Sequence, residues 1–574
     1  MTKKILLTTL NAKYVHTSLA LWYLYQYSKA AYPMLLMKEY NINQDLAWVT
    51  GEIYLEGAAV VAFSCNIWNI ESILIICQRL KIIAPETTIL LGGSEVWTKP
   101  EELLLGHPSV DYIIVGEGEL AFRAWLDQWH QVEPKYQSVP GLVYRIDELI
   151  SKNESSTPLN DLSQIPSPYP IDLSDFTQKL VYYESTRGCP NRCQYCLSGN
   201  ETGVRYFPLE RVKQDLQRFI EAGIAQVKFV DRTFNVHLER AKEIWRYLIA
   251  HPGQTNFHFE IMGDLLDEES LEILALAPAG MFQFEIGVQS TNPTTLKLIQ
   301  RRMNFERLSA NVEKLRKNSQ VFLHLDLIAG LPEEDWVSFA KTFNDNLRLR
   351  PHRLQLGFLK LIRGSGLRAR EAEFGYIYTQ EPPYEVLKND WLDYASLLKL
   401  KTLEDLLERY YNSGRFVETM EYLCSSFSNE FAMFEALALW WKGQGLDQAA
   451  HKGKDLYRYL LEFGEQQQLD RLILQNLLKF DLLKSERMVE LPSWAGVGLD
   501  ENLRDFSYQF WQDQTQREKY LPSLTNRPLR ELQRRVLFAK FDLNPVARGD
   551  FRLKPTLFLF VYEAKLISHF ELDV

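Results

Sequence analysis

Three cysteines, Cys189, Cys193 and Cys196, fall within the stretch Arg187-Gly-Cys-Pro-Asn-Arg-Cys-Gln-Tyr-Cys196, separated by three residues and then two. Gaps this short suit a loop. Thiolates are soft ligands for iron and zinc. Structural zinc takes four protein ligands in two pairs, and no second pair follows. A cubane [4Fe–4S] cluster takes four cysteines, so three would leave one iron open to a substrate or cofactor. The residue types therefore favour an incompletely ligated cluster over zinc.

The same spacing, with aromatic Tyr195 just before the last cysteine, resembles the signature of the radical S-adenosylmethionine (SAM) enzymes. That resemblance implies that the open iron chelates the amino and carboxylate groups of SAM. It also implies that Tyr195 lies close to the adenine.

The rest of the chain has to position such a site. With 574 residues it exceeds one core and suggests about three domains. Its 46% apolar and 24% charged content is that of a globular protein, and no apolar run is long enough to cross a bilayer. The start, Met-Thr-Lys-Lys-Ile-Leu-Leu, lacks a signal-peptide layout. Six cysteines, three of them clustered, suit a reducing cytoplasm better than a disulfide framework. A net charge of −10 argues against broad nucleic-acid binding. The pairs Arg301-Arg302 and Arg534-Arg535 read as solvated helix faces.

Over residues 1–140, apolar strand runs alternate with helical ones, beginning at Lys3 to Leu10 and ending with a helix from Glu119 to Trp129. The alternation predicts a doubly wound, Rossmann-like parallel sheet, which binds ligands beyond its strand carboxyl ends. The loops there include Asn11 to Ser18, Ser64 to Asn69, Gly92-Gly-Ser-Glu95 and Gly116-Glu-Gly-Glu119. Leu91-Gly-Gly and Val115-Gly-Glu-Gly-Glu119, placed upstream of the cysteine loop, look like the cobalamin-binding domain of B12-dependent radical SAM enzymes. The resemblance makes His16, Ser64, Asn66, Gly92, Gly93, Glu117 and Gly118 candidate cobalamin contacts. It does not extend to an Asp-x-His-x-x-Gly segment: around His16, Tyr14 replaces the aspartate and Leu19 the glycine, so a histidine ligand to cobalt is not implied. Cys65, Cys77 and Cys424 read as core.

Residues 141–178 form a linker, with a hairpin expected over 141–152 and a Ser/Pro/Asn/Asp-rich strap after it. Six strands follow within 179–375: Val181 to Ser185, Gln226 to Phe234, Phe257 to Met262, Met281 to Val288, Val321 to Ala329 and Arg353 to Ile362. The spacing fits a complete or partial barrel with its site at the strand carboxyl ends, and the resemblance implies a partial (β/α)6 radical SAM barrel. Asp231, Arg232, Glu260, Glu285, Gln289 and Asp326 are polar among these apolar runs. By analogy, the Asp231 segment faces the SAM amino group, Glu285 and Gln289 the ribose, and Ile328 the adenine, with Glu260 a further SAM candidate. In the turn after the sixth strand, Arg363 and Gly366 stand where relatives have proline. From 376 to 574 the chain reads as mostly α-helical, with helices over 385–412, 415–445 and 449–483 and a strand at Thr556 to Tyr562.

The fold class expected is thus α/β: a Rossmann-like cobalamin domain, a radical SAM barrel and a helical C-terminal domain. The resemblance implies an enzyme using a [4Fe–4S] cluster, SAM and cobalamin to methylate an unactivated carbon. It needs a reductase, flavodoxin or ferredoxin as electron donor. A B12-containing cyclase or rearrangement enzyme is the alternative, and a non-enzymatic cobalamin- or redox-sensing module the alternative of another class. A tRNA methylthiotransferase is disfavoured, since the extra cysteine set and a basic tail are missing. Nothing in the sequence identifies the substrate.

Overall fold

The computed structural model describes residues 3–572 except 147–148, 155–157, 201–202, 489, 496–501, 526, 548 and 564–565. Outside the described residues lie 147–148 of the expected hairpin, part of the linker, and parts of the last segment (564–565 and 573–574). The chain divides into two compact units, residues 1–339 with 355–394, and residues 340–354 with 395–574.

In the first unit, β1 (Ile5–Asn11), β2 (Leu35–Asn41), β3 (Val60–Ser64), β4 (Thr88–Gly92) and β5 (Tyr112–Ile114) are parallel strands. They alternate with helices α1 (Leu19–Ser28), α2 (Leu46–Leu55), α3 (Ile70–Ile83), α4 (Pro100–Gly106) and α5 (Gly118–Trp129). Both sheet faces are covered, so β1 and β3 are buried at every position and β3 reads as an almost unbroken apolar run. The expected hairpin forms as β6 (Leu142–Ile146) and β7 (Leu149–Lys152), and it joins this sheet antiparallel to β5 rather than standing in the linker. The order is β2-β1-β3-β4-β5-β6-β7, with its switch point between β1 and β3.

The second sheet of this unit holds β8 (Leu180–Tyr183), β11 (Gln226–Phe229), β12 (Asn256–Ile261), β13 (Phe282–Gln289), β14 (Phe322–Ala329) and β15 (Arg353–Phe358), in the order β15-β14-β13-β12-β11-β8. Six strands in sequence order, with helices between them, make the open barrel. β9 (Thr186–Gly188) and β10 (Val204–Tyr206) form a separate antiparallel ribbon, and the cysteine loop is its tip. Three-residue strands are too short to show an alternation in the sequence. β11 ends at Phe229, five residues sooner than expected, because Val230 to Thr233 turn into a short helical segment at Phe234–Val236.

The open edge of the barrel, β8, is covered by the loop after β1. Leu180 N–H donates to Val15 O at 2.7 Å, and Thr17 Oγ1 donates to Leu180 O at 3.2 Å. The linker strap anchors through buried Ile165, Tyr169 and Phe176.

The second unit contains α13 (Tyr394–Leu406, from Ala395 on), α14 (Val417–Ser425), α15 (Glu430–Gly443), α16 (Asp455–Gln466) and α17 (Arg471–Ser485), while the short α12 (Gly366–Ala369) belongs to the first. Two of the long helices expected here are each split. Asn429 caps α15 by accepting from Ala432 N–H, and Asp470 caps α17 by accepting from Leu472 and Ile473, since short polar side chains favour helix starts over interiors. Helices give way to a three-stranded antiparallel sheet, Val536–Leu543, Leu553–Glu563 and Leu566–Leu572. Among the described residues no helix is long and apolar enough to cross a membrane.

Candidate functional site

A cavity of about 200 Å³ opens at the carboxyl ends of the barrel strands. Cys189, Cys193 and Cys196 line it, with Tyr195, Glu260, Glu285 and Gln289 on the facing walls. Arg232, Thr233, Asp326 and Arg301 complete it. The strand register explains the convergence: Glu260 on β12 pairs with Glu285 on β13, and Gly287 on β13 with Asp326 on β14. A register shift between Gly287 and Gln289 puts Gln289 at φ 71°, a conformation seldom adopted by side-chain-bearing residues. Such outliers cluster at functional sites.

The thiol spacing separates the two metal readings. Among the described residues, only Glu239, Asp267 and Glu269 form a His/Cys/Asp/Glu group whose ligand atoms all lie within 4.8 Å of one another. At least one pair of the three thiols therefore stands further apart than that. Thiolates at ~2.3 Å from one tetrahedral zinc would be about 3.8 Å apart. As placed, the three thiols are not all at the spacing of ligands to one tetrahedral ion, and a larger inorganic core needs the wider spacing. The acidic trio is itself filled by Lys242, whose Nζ donates to all three carboxylates at 2.5–2.9 Å.

The electrostatics of the cavity are strongly structured. Lys228 Nζ lies 2.9 Å from Glu285 and 3.6 Å from Glu260. Burial pushes Glu260 up to about 7. Burial acts on Glu285 in the same direction, but His258 and Lys228 outweigh it and hold that carboxyl well below the usual range. His258 Nε2 is 2.8 Å from Glu285 yet off the line of a hydrogen bond. Two carboxylates directly paired across β12 and β13 thus share one lysine, Glu285 held ionised and Glu260 raised to about 7.

Arg301, expected on a solvated face, is half-buried beside the cysteines. Its Nη1 lies 3.2 Å from Tyr195 Oη and 3.7 Å from Cys193 Sγ, and its Nη2 donates to Gly287 O. Burial works against its charge, but Tyr195 and Cys193 hold its pKa above that of a free guanidinium. Arg301 Nε is buried without a partner, the orphan donor an anionic ligand group would satisfy. No local pattern marks Arg301: it follows a six-residue helix, α9 (Pro293–Leu298), after Gln300 at φ 53°.

Two SAM candidates lie elsewhere. Asp231 is fully buried and does not line the cavity; its carboxylate accepts from Ser185 N–H, Ser185 Oγ and Thr186 Oγ1 at 2.6–2.9 Å, fixing the strand that leads into the cysteine ribbon. Its neighbours Arg232 and Thr233 face the cavity instead. Ile328 is half-buried on β14 and also absent from the lining, where that strand contributes Asp326.

A second cavity, about 270 Å³, lies at the carboxyl ends of β1, β3, β4 and β5, on the side of α1 and α5. Ser64, Gly92, Gly93, Glu117 and Gly118 line it, together with Leu7, Ala62, Ile114 and Phe122. Asn66 does not: its N–H donates to Asn69 Oδ1 and its own Oδ1 accepts from Ser94. His16 is also outside, with its ring edge-on to Tyr182 and its backbone bridged to Leu180 on the barrel edge. Burial lowers its pKa. Two glycines are set by packing. A Cβ on Gly93, at φ 107°, would sit 2.4 Å from Cys65 O, and one on Gly118 would sit 2.9 Å from Leu24. The slot's size and apolar walls suit a flat aromatic base such as the one ending cobalamin's nucleotide tail.

Comparison with known proteins agrees with this layout. Residues 5–126 match the B12 binding domain, 183–345 the Radical SAM superfamily, and 372–560 a protein family of unknown function, DUF4080. The 2-(S-pantetheinyl)-carbapenam-3-carboxylate methyltransferase of Streptantibioticus cattleyicolor is 26% identical over 315 residues, which is 51% of this chain and 45% of that protein. The chain thus spans less than half the length of that curated relative. The radical SAM methyltransferase TsrM of Kitasatospora setae, solved with cobalamin and a [4Fe–4S] cluster, superposes at a TM-score of 0.55 and 16% identity, over 65% of this chain and 75% of that one. The cobalamin-dependent radical enzyme OxsB, solved with aqua-cobalamin, superposes at 0.56 and 14% identity, over 92% of this chain and 85% of that one. With a B12 binding domain, a radical SAM domain and a DUF4080 region in that order, the chain is a B12-binding-domain-containing radical SAM protein.

Proposed function

We propose that this chain is a cobalamin-dependent radical SAM enzyme that methylates an unactivated carbon of its substrate. The observation that carries the reading is the cavity where three thiols meet a half-buried arginine and the Glu285–Gln289 wall. When bound, the cluster and cobalamin supply one-electron cleavage of SAM and carriage of a methyl group.

Cys189, Cys193 and Cys196 would hold iron, and their number leaves one position open. Arg301 would offer its unpartnered Nε to the SAM carboxylate. Glu285, kept ionised by Lys228 and His258, is an acceptor for ribose hydroxyls, and Gln289 is held close by its bulged backbone. Ile261 and Met262 add apolar wall, which excludes water from a reactive site. The slot beneath Ser64, Gly92 and Gly93 would take the cobalamin tail. His16 stands at the barrel edge, so a histidine ligand to cobalt is not part of this reading. An external one-electron donor, such as a flavodoxin or ferredoxin, completes the cycle.

The test is anaerobic reconstitution with iron, sulfide, cobalamin, SAM carrying a labelled methyl group, and a low-potential reductant. Labelled methyl in a candidate substrate, with 5′-deoxyadenosine formed, supports the proposal. A product of unchanged carbon count would turn it towards a cyclase or rearrangement enzyme. Cluster binding without SAM cleavage would leave only a sensing module.

A further inference from the structure

The ribbon carrying the cysteine loop is anchored by charge to the glycine-rich loop of the neighbouring sheet. Arg187 on β9 and Arg205 on β10 are directly paired across the ribbon, so their side chains leave it together. Opposite them are Glu117 and Glu119, at the start of α5. Arg187 Nη2 donates to Glu119 at 2.6 Å, its Nε donates to Glu184 at 2.8 Å, and its Nη1 lies 3.5 Å from Glu117. Arg205 holds both oxygens of Glu117. The Arg187 guanidinium also lies over the rings of Tyr23 and Phe207.

This group is enclosed. The side chains of Arg187, Glu119 and Glu184 are 11%, 7% and 13% exposed. Three ionisable groups buried together, with Arg205 and Glu117 half-buried beside them, are not a routine way to gain stability, because desolvation offsets much of the attraction. What such a network does supply is direction: bidentate and multi-point arginine–carboxylate pairs fix orientation. Glu117, Glu119, Glu184 and Arg187 also line the slot at the sheet's carboxyl end. The cysteine loop begins two residues after Arg187. One side chain is therefore a wall of one cavity and the root of the other.

We propose that Arg187 and Arg205, with Glu117, Glu119 and Glu184, are positioning residues that set the distance between the metal cluster and the cobalamin. In this assignment Glu117 serves geometry, and a direct corrin contact is not needed to explain it. The inference rests on the two-cofactor reading above, and no bond is made or broken in it.

The experiment measures the distance between the unpaired electrons of cob(II)alamin and the reduced cluster by pulsed electron paramagnetic resonance. It uses the full chain loaded with both groups, without substrate. The wild type should show one narrow distance distribution. R187Q and R205Q should each broaden or shift it, R187K should stay closer to the wild type than R187Q, and the exchange E117R with R205E should narrow it again relative to R205Q. Should R187Q fail to fold, R205Q decides alone, since that side chain is one-fifth exposed and tolerates loss of charge better. A broad distribution in the wild type, or an unchanged one in R205Q, would overturn the proposal. Iron, sulfide and cobalamin content, assayed on the same samples, keep that result apart from failure of the two-cofactor reading, which would show as protein that binds neither group.

Discussion

The two cavities of the first unit obey one rule and differ in what builds them. Both open beyond the carboxyl ends of parallel strands, where backbone polarity and loop freedom favour ligands. The cysteine cavity is made of side chains: three thiols, two arginines, three carboxylates and a glutamine. The sheet-end slot is made of backbone and aliphatic surface, with its charged residues turned towards each other at one wall. A cavity built from side chains advertises its chemistry in residue types. One built from backbone advertises only that something must pass closely.

The largest effect expected from breaking this comparison is in the cysteine cavity. Replacing Cys189, Cys193 and Cys196 together by alanine should abolish iron–sulfur absorbance and leave corrin bands intact. Survival of that absorbance would refute the ligand assignment.

In the slot, the damaging change is a methyl group on the backbone. Gly93→Ala forces a Cβ to 2.4 Å from Cys65 O at φ 107°, which should cost about 2–4 kcal/mol of stability. A chemical denaturation midpoint equal to wild type would contradict the packing explanation.

A polar substitution in the cysteine cavity should spare the fold and weaken binding. Glu285→Gln removes the charge held by Lys228 and His258. The affinity for SAM, read by calorimetry on reconstituted protein, should fall about 10- to 100-fold. No change would remove Glu285 from the SAM site.

These contrasts also show what the sequence could carry. The runs of β3 and β4 were legible because strands covered on both faces stay apolar almost throughout, and β13 and β14 because apolar and polar residues alternate along them. Cys189, Cys193, Cys196, Tyr195, Glu260, Glu285 and Gln289 were legible by type and place, and they do converge. Arg301 was not, since nothing near it in the chain distinguishes a half-buried arginine from a surface one. Arg187 stood two residues from Cys189, but its partners are 65 or more positions away in the case of Glu117 and Glu119, beyond any local pattern. Asp231, expected by analogy near the SAM amino group, holds the ribbon's root and does not line the cavity, because a carboxylate at a strand end can serve either place. The hairpin's place in the first sheet depended on pairing with β5, which its own residues do not announce.

Glu184 offers a smaller, pH-dependent test of the wall shared by the cavities. Burial raises its carboxyl from 4.5 to about 7, against the pull of Arg187. Between those values the folded state holds more proton than the unfolded state, so this residue makes stability fall as pH rises from 4.5 to 7. The change is at most about 3 kcal/mol. Glu184→Gln should flatten that part of the melting-temperature profile; an identical slope in the variant would exclude Glu184 as its source.

The smallest effect is expected at His16. Because its ring packs on Tyr182 at the barrel edge, His16→Ala should leave the corrin spectrum unchanged and cost about 1 kcal/mol. A spectral shift would return His16 to the cobalt.

The central claim is a cluster held by three thiols with one iron free to bind SAM. Electron paramagnetic resonance of the reduced, reconstituted protein tests it directly, before and after SAM is added. The account predicts a cluster signal, about four irons and four sulfides per chain, and a change of that signal on SAM binding. Protein that retains zinc and no sulfide, or a cluster signal indifferent to SAM, would contradict it.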